Sequence, residues 1–545
     1  MNVRKAGAAL VAWLAVCYAS AAVSEEVYVE WAARYDGPIN FQDWPFGIII
    51  DRDRNIFVTG ESWDYTEDYG SSYDYCTVKY SPQGNQLWVR RYNDTHEGAD
   101  YATALVADRH GNVYVIGSST SPDYGNDFVT IKYSPEGDIL WLQRFSEGTN
   151  SSEGARHIEI DKNGDIYVMG YCIEPSTGFD FALVKYRPSG EIVWSNRYDS
   201  DGHGNDEPMA MELDQSGNIY VTGKTDRSDT GYHYLTIKYS QSGETLWTKS
   251  FSGLGHSAES PSGLAVDPAG NVIVTGESYY DNFSSDWLTV KYSPQGELLW
   301  ARYYSGPGDS TDHPTALAVD GDGNIYVTGV SRGEGTSDDL VTLKYSPDGD
   351  TLWAKRFNGH LNAWDGGTAM AVDHDNNVCV AGYTRAETRE DFLLLKYAPG
   401  GELLWYGRYD GPASHNDVVT AMALDQEGNA YLTGRSWTDS TYQDYSTVKF
   451  SPCNLYSPKA GDANADDSLS LSDVVSLVNH IFGRIIYSPC NTDIHDCRVY
   501  NRLCRYDWNG DQKVTLGDCI RAINYIFNKP GFWSPVTSLG CCPFP

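Results

Sequence analysis

Helix is what this chain lacks most. Between Trp31 and Lys449 no repeat unit holds ten residues with apolar side chains at helical spacing, which excludes an α-solenoid. Basic residues are also few. Forty Lys and Arg stand against 74 Asp and Glu, a net charge of −34, and a surface so acidic repels phosphate backbones and anionic lipid, so nucleic acid is not an expected partner. Beyond residues 6–16 no apolar run approaches the length needed to span a bilayer, so no membrane insertion is expected. Cysteine is scarce through the middle of the chain: Cys76, Cys172 and Cys379 stand singly and read as small buried hydrophobes. Catalytic signatures are missing too, with no G-x-S-x-G elbow, no H-E-x-x-H and no phosphate loop. No catalytic residue is assigned.

What is present is repetition. A Trp followed by a basic-aromatic pair recurs at Trp31, Trp88, Trp141, Trp194, Trp247, Trp300, Trp353 and Trp405, and Lys-Tyr or Lys-Phe recurs from Lys79 to Lys449. An Asp-x-x-x-Asn hairpin opens at Asp51, Asp108, Asp161, Asp214, Asp267, Asp320, Asp373 and Asp425. These anchors step by 52 to 57 residues, so one module is copied in tandem. The unit from Asp100 to Phe145 parses into four short β-rich segments separated by turns, the layout of an antiparallel propeller blade. The last unit has no Trp-bearing fourth strand, whereas residues 27–35 supply one with no blade before it. The expected fold is therefore all-β: an eight-bladed propeller over residues 23–452, whose N-terminal strand completes the last blade and removes an open sheet edge. The recurring Tyr-Val-Thr-Gly and Lys-Tyr-Ser-Pro-x-Gly motifs resemble the bacterial SBBP β-propeller repeat family. That family name is linked to seven blades, so the count of eight is this chain's own. The resemblance implies a secreted or cell-surface protein and no fixed chemistry.

Eight residues before each hairpin Asp stands an acid: Asp43, Asp100, Glu153, Asp206, Glu259, Asp312, Asp365 and Asp417. Each opens a first strand, and first strands line a propeller's channel, so the eight are candidate channel-mouth acids. They either accept backbone hydrogen bonds from the neighbouring blade or together hold a cation. A second acid precedes the third strand in seven blades (Asp74, Asp127, Asp180, Asp286, Asp339, Asp391 and Asp444), with His233 in its place in the fourth, and reads as a turn residue. His96, His203, His256, His313, His360 and His415 fall in loops between blades without a common register, which argues against a built metal cluster. Three loops, Trp63 to Tyr75, Tyr279 to Trp287 and Trp437 to Tyr445, are aromatic and acidic. Such a mixture suits sugar rings, which stack on aromatic faces and take polar contacts at the rim.

After a linker at 453–460 the pattern changes. Asp462, Asn464, Asp466, Ser468, Ser470 and Asp473 fall at positions 1, 3, 5, 7, 9 and 12 of a calcium loop, and Asp507, Asn509, Asp511, Lys513, Thr515 and Asp518 repeat the spacing. Each loop opens a segment with helical periodicity, Val474 to Phe482 and a second through Phe527. The pair resembles a type I dockerin over residues 461–530. The resemblance implies two calcium ions, a small α-helical domain, and docking onto a cohesin-type scaffold through residues that include Leu471, Ser472, Leu516 and Gly517. Position 6 carries Asp467 and Gln512 rather than Gly, which weighs on the second loop. Seven cysteines, Cys453, Cys490, Cys497, Cys504, Cys519, Cys541 and Cys542, crowd this region and the Cys/Pro-rich tail at 531–545. In an exported protein such clustering predicts disulfides of undetermined pairing. Export itself is read from Arg4 and Lys5, the apolar run to Val16 and small residues through Ala22, a signal peptide over 1–22.

The function expected is a secreted, monomeric propeller that binds a glycan or protein and is tethered to a cohesin-type scaffold during extracellular polysaccharide breakdown. Two rivals stand beside it: a propeller glycoside hydrolase or polysaccharide lyase carried by the dockerin, and a surface adhesion protein with a calcium-stabilised cap.

Overall fold

The computed structural model describes residues 27–452, except loop segments at 67–69, 95–97, 122–124, 149–150, 175–176, 202, 228–230, 254–257, 280–283, 309–310, 360, 387–388, 414 and 439–441. The expected signal peptide and linker, the candidate calcium loops from Asp462 and Asp507, the segments of helical periodicity after them and the seven clustered cysteines lie outside the described residues.

Thirty-two strands, numbered β1 to β32 in chain order, form eight four-stranded antiparallel sheets. Blade 1 is β2 (Asp43–Ile50), β3 (Ile56–Thr66), β4 (Gly70–Tyr80) and β5 (Gln86–Tyr92), and the next six blades follow four strands at a time. Blade 8 is β30 (Asp417–Leu424), β31 (Ala430–Trp437), β32 (Gln443–Pro452) and, as its outer strand, β1 (Val27–Tyr35). Both the count and the N-terminal closure match the expectation from the repeats. Among the described residues there is no helix.

The middle strands of each blade are buried almost along their length because their sheet is covered on both faces by neighbouring blades. In β3, Ile56, Phe57 and Val58 are all fully buried, since the two middle strands of a blade meet a neighbour on each side. Apolar clusters accordingly sit between blades: Phe57 and Tyr75 of blade 1 pack with Leu105 and Val129 of blade 2. First strands of adjacent blades touch one another, which sets them innermost around the axis. The hairpin Asp fixes the first turn. Asp108 Oδ1 accepts the backbone N–H groups of His110 (2.8 Å) and Asn112 (3.0 Å), while Oδ2 accepts Asn112 Nδ2 at 2.7 Å. Gly111 follows at φ 78°, where a side chain would be strained.

The Trp and Lys of the repeat join one blade to the next. Trp88 Nε1 and Lys79 Nζ both donate to the Pro135 carbonyl of blade 2, at 3.1 and 2.8 Å. The same double clamp recurs onto Pro188, Gln241, Pro294, Pro347 and Pro399. At the closure Trp31 reaches the Pro82 carbonyl (3.0 Å), while Lys449 pairs with Glu30 at 2.7 Å. Trp405 alone in the series lacks the acceptor, and its buried Nε1 has no partner. The cause is local: blade 8 has no turn between its third and outer strands, because β32 runs straight through Ser451 and Pro452, paired with Tyr28 and Val27.

Candidate functional site

A row of polar side chains crosses each blade near the start of its first strand. In blade 1 it is Asp43, Ser62, Asp74 and Arg91: Asp43 pairs in register with Ser62, Ser62 with Asp74, and Arg91 reaches Asp74 at 2.9 Å and Ser62 Oγ at 2.5 Å. The second acid is thus one half of a cross-strand ion pair rather than a turn residue. Six blades form it, through Arg34, Arg91, Arg144, Arg197, Arg356 and Arg408, at 2.5 to 2.9 Å. In blades 4 and 5 the Arg position holds Ser250 and Tyr303, and His233 faces Ser250 Oγ at 3.5 Å.

Asp43, Asp100, Glu153, Asp206, Glu259, Asp312, Asp365 and Asp417 begin or adjoin the first strands, and none is more than 1% exposed. Each accepts the backbone N–H of the residue six earlier, at 2.6 to 3.2 Å. In five blades that donor is Gly (Gly37, Gly253, Gly306, Gly359 and Gly411), and a Cβ there would stand 2.9 Å or less from the carboxylate. Burial raises the pKa values of Asp43, Asp100, Glu153, Asp206, Asp312, Asp365 and Asp417, those of Asp43, Asp100 and Asp417 to about 6. For Asp43, Asp100, Glu153, Asp206, Asp312 and Asp365 the second acid of the preceding blade adds to the rise, and for Asp417 the charge of Asp410 does. The acids are therefore buried, each bonded to the backbone of its own blade junction.

Two of the three aromatic loops coalesce, because blades 8 and 1 are neighbours. Trp437 lies 6.4 Å from Tyr442, Tyr442 4.6 Å from Phe41, Phe41 5.3 Å from Trp63 and Trp63 4.4 Å from Tyr73, ring centre to ring centre. Tyr73 continues to Trp44 and to Tyr101 of blade 2, each at 5.9 Å. Tyr65 and Tyr442 on this face are 58% and 49% exposed. Polar groups run through the cluster. Gln42 Oε1 accepts the Tyr73 hydroxyl at 2.9 Å, Gln443 Oε1 accepts Trp44 Nε1, and the Arg435 guanidinium lies 5.2 Å over the Trp44 ring. At the base sits Glu61, pushed up to about 7 by burial despite the opposing pull of Arg435. The third loop does not join: Trp287 is 1% exposed and donates toward the Val330 carbonyl of the next blade.

His96, His256 and His360 lie outside the described residues. His203 meets Asp199 at 2.7 Å, and His313 bonds Glu277 of the preceding blade. Cys76, Cys172 and Cys379 are buried free thiols.

The first strands of blades 3 and 4 hold a group that the repeat anchors do not mark. Six blades carry Ile49, Val106, Ala265, Ala318, Ala371 or Ala423 at the sixth residue after the acid, whereas blades 3 and 4 carry Glu159 and Glu212. Both carboxyls are raised by burial, and Glu159 further by the charge of Glu212. His157, two residues before Glu159, hydrogen-bonds the Met209 backbone and is held below its ordinary value by burial. A register-by-register comparison of the eight first strands would have exposed all three.

The β-propeller repeat family SBBP matches residues 39–65, 87–125 and 299–335. An uncharacterized WD repeat-containing protein, L264, of Acanthamoeba polyphaga mimivirus is 26% identical over 452 residues. That match covers 66% of this chain and only 31% of the relative's length. Among solved structures, polysaccharide lyase Uly1 is similar at a TM-score of 0.42 and 10% identity, over 66% of this chain and 92% of that one. The WD40 domain of SCAP from fission yeast is similar at 0.41 and 9%, over 78% and 98%. The chain is an eight-bladed β-propeller closed by its own N-terminal strand, and three stretches of it match the SBBP β-propeller repeat.

Proposed function

We propose that this chain is an exported, scaffold-tethered propeller whose face over blades 8, 1 and 2 binds a glycan. The observation that carries the reading is the continuous aromatic group from Trp437 through Tyr442, Phe41, Trp63 and Tyr73 to Tyr101. Sugar rings present C–H faces that stack on aromatics and hydroxyls that need partners at the rim. Gln42, Gln443, Arg435 and Glu61 stand within the same group and offer both donors and acceptors. A rigid ring suits such binding, since Trp63, Tyr73, Tyr101 and Trp437 rise from strands already fixed by inter-blade packing.

The tether is the tail. Two loops with oxygen ligands at calcium spacing, opening at Asp462 and Asp507 and each followed by a helical pattern, support a dockerin-like module that folds on two calcium ions. Its partner would be a cohesin-type scaffold outside the cell, in keeping with the signal-like first 22 residues.

A second reading has one observation in its favour. Glu61, titrating near neutrality beneath an aromatic face, has the property required of a general acid in glycoside cleavage. The experiment that separates the readings is a screen of the full chain against immobilised polysaccharides, with products followed by reducing-end release and by absorbance of unsaturated sugars. Binding without turnover is the expected result. Turnover lost in Glu61→Gln would move the chain to the enzyme class, and no binding to any polysaccharide would sink both.

A further inference from the structure

The junction of blades 3 and 4 brings three carboxylates together, with a loop acid that is not exposed. One carboxylate oxygen from each of Asp180, Asp199 and Asp206 lies within 4.8 Å of the other two. The three come from different elements: Asp180 from β12 (Gly178–Tyr186), Asp199 from the loop after β13 (Ile192–Tyr198), and Asp206 from the start of β14 (Asp206–Leu213). Asp180, with none of its surface exposed, gives Oδ2 to Thr177 (2.7 Å) and Arg197 (2.5 Å), while its Oδ1 has no hydrogen-bond partner. Asp199 likewise gives Oδ2 to His203 at 2.7 Å and leaves a buried Oδ1 without a partner. Asp206 accepts the Ser200 N–H at 2.7 Å, and the hydroxyls of Ser200 and Thr225 stand beside it.

A buried carboxylate oxygen without a donor is costly, and three carboxylates within 4.8 Å of one another repel. Arg197 neutralises one of the three charges and leaves two. We propose that this junction binds one divalent cation of the calcium type, with Asp180, Asp199 and Asp206 as its protein ligands. The three acids and the hydroxyls beside them offer carboxylate and hydroxyl oxygens, the set that hard cations take, while the Cys172 thiol across the strand is turned to the Asp180 carbonyl at 3.9 Å. The charge left over equals that of the ion. Two other junctions bring together three acids, Asp36 with Asp43 and Asp444, and Asp391 with Asp410 and Asp417, but there the loop acid is exposed to solvent. The ion would bolt blade 3 to blade 4 at the point where blade 4 has no Arg to complete its own polar row.

The tail loops must be silenced to see this site, so the test uses the full chain carrying Asp462→Ala and Asp507→Ala. Bound calcium is counted by equilibrium dialysis, and thermal unfolding is followed with calcium or with chelator. The proposal expects about one ion per chain, a calcium-dependent rise in the midpoint, and loss of both on adding Asp199→Ala. Asp199 sits in a loop and caps no strand, so that variant keeps the ring. No bound ion in the tail-silenced chain, or an ion that survives Asp199→Ala, overturns the proposal.

Discussion

At the scale of single residues, the chain separates side chains that hold the frame from those that depart from it. The eight first-strand acids belong to the frame, each bonded to a loop N–H and buried. Glu159 and Glu212 depart from it, and their cost has a direction. A carboxyl whose folded-state pKa is raised binds its proton more tightly when folded than when unfolded. Its contribution is therefore intact below the unfolded value, near 4.3, and is lost as pH rises through the raised folded value. Glu159→Gln removes that loss. The variant should match the parent at about pH 4 and exceed it by roughly 1–3 kcal/mol at about pH 8, read by denaturant unfolding at both pH values. Equal stability at the higher pH would mean that Glu159 ionises freely in the native state.

At the scale of strands and turns, most of the design is in the sequence, because each repeat anchor has one mechanical task. Trp and Lys clamp the next blade's turn, and the hairpin Asp wraps its own turn. The break in the series is equally informative. Trp353 Nε1 bonds the Pro399 carbonyl at 3.1 Å, whereas Trp405 Nε1 has no partner. Trp→Phe at either site removes similar ring volume, but only at Trp353 does it remove a hydrogen bond. Trp353→Phe should cost about 1 kcal/mol more than Trp405→Phe in chemical unfolding, and equal costs would contradict the clamp. What the sequence did not disclose follows from the same physics. The second acid looked like a turn residue because its partner, such as Arg91 for Asp74, lies 17 positions away on another strand. Trp287 looked like a loop aromatic, but its strand begins at Ser285, which turns its ring into the core with Trp300. The union of the Trp63 and Trp437 loops depends on blade 1 lying beside blade 8, a consequence of ring closure rather than of local pattern.

At the scale of the whole molecule, one strand closes the ring. β1 pairs with β32 from Val27 with Pro452 through Tyr35 with Tyr445, and it carries Arg34 to Asp444 and Trp31 to Pro82. Deleting residues 27–35 would bare the edge of β32 and part blade 8 from blade 1. The truncated chain should lose cooperative unfolding and self-associate in sedimentation, and a monomer that unfolds like the parent would refute closure by this strand. The same seam places Phe41 against both Trp63 and Tyr442, so the architecture that closes the ring also assembles the aromatic face. The most direct test of that face is calorimetric titration of the best-binding polysaccharide from the screen into the parent, Trp63→Ala and Trp364→Ala. Trp364 is a control, exposed at 48% on blade 7 and stacked with Arg385. Affinity should fall about tenfold or more in Trp63→Ala, a loss of about 1.4 kcal/mol, and hold in Trp364→Ala. Unchanged binding in Trp63→Ala would place the ligand elsewhere on the ring.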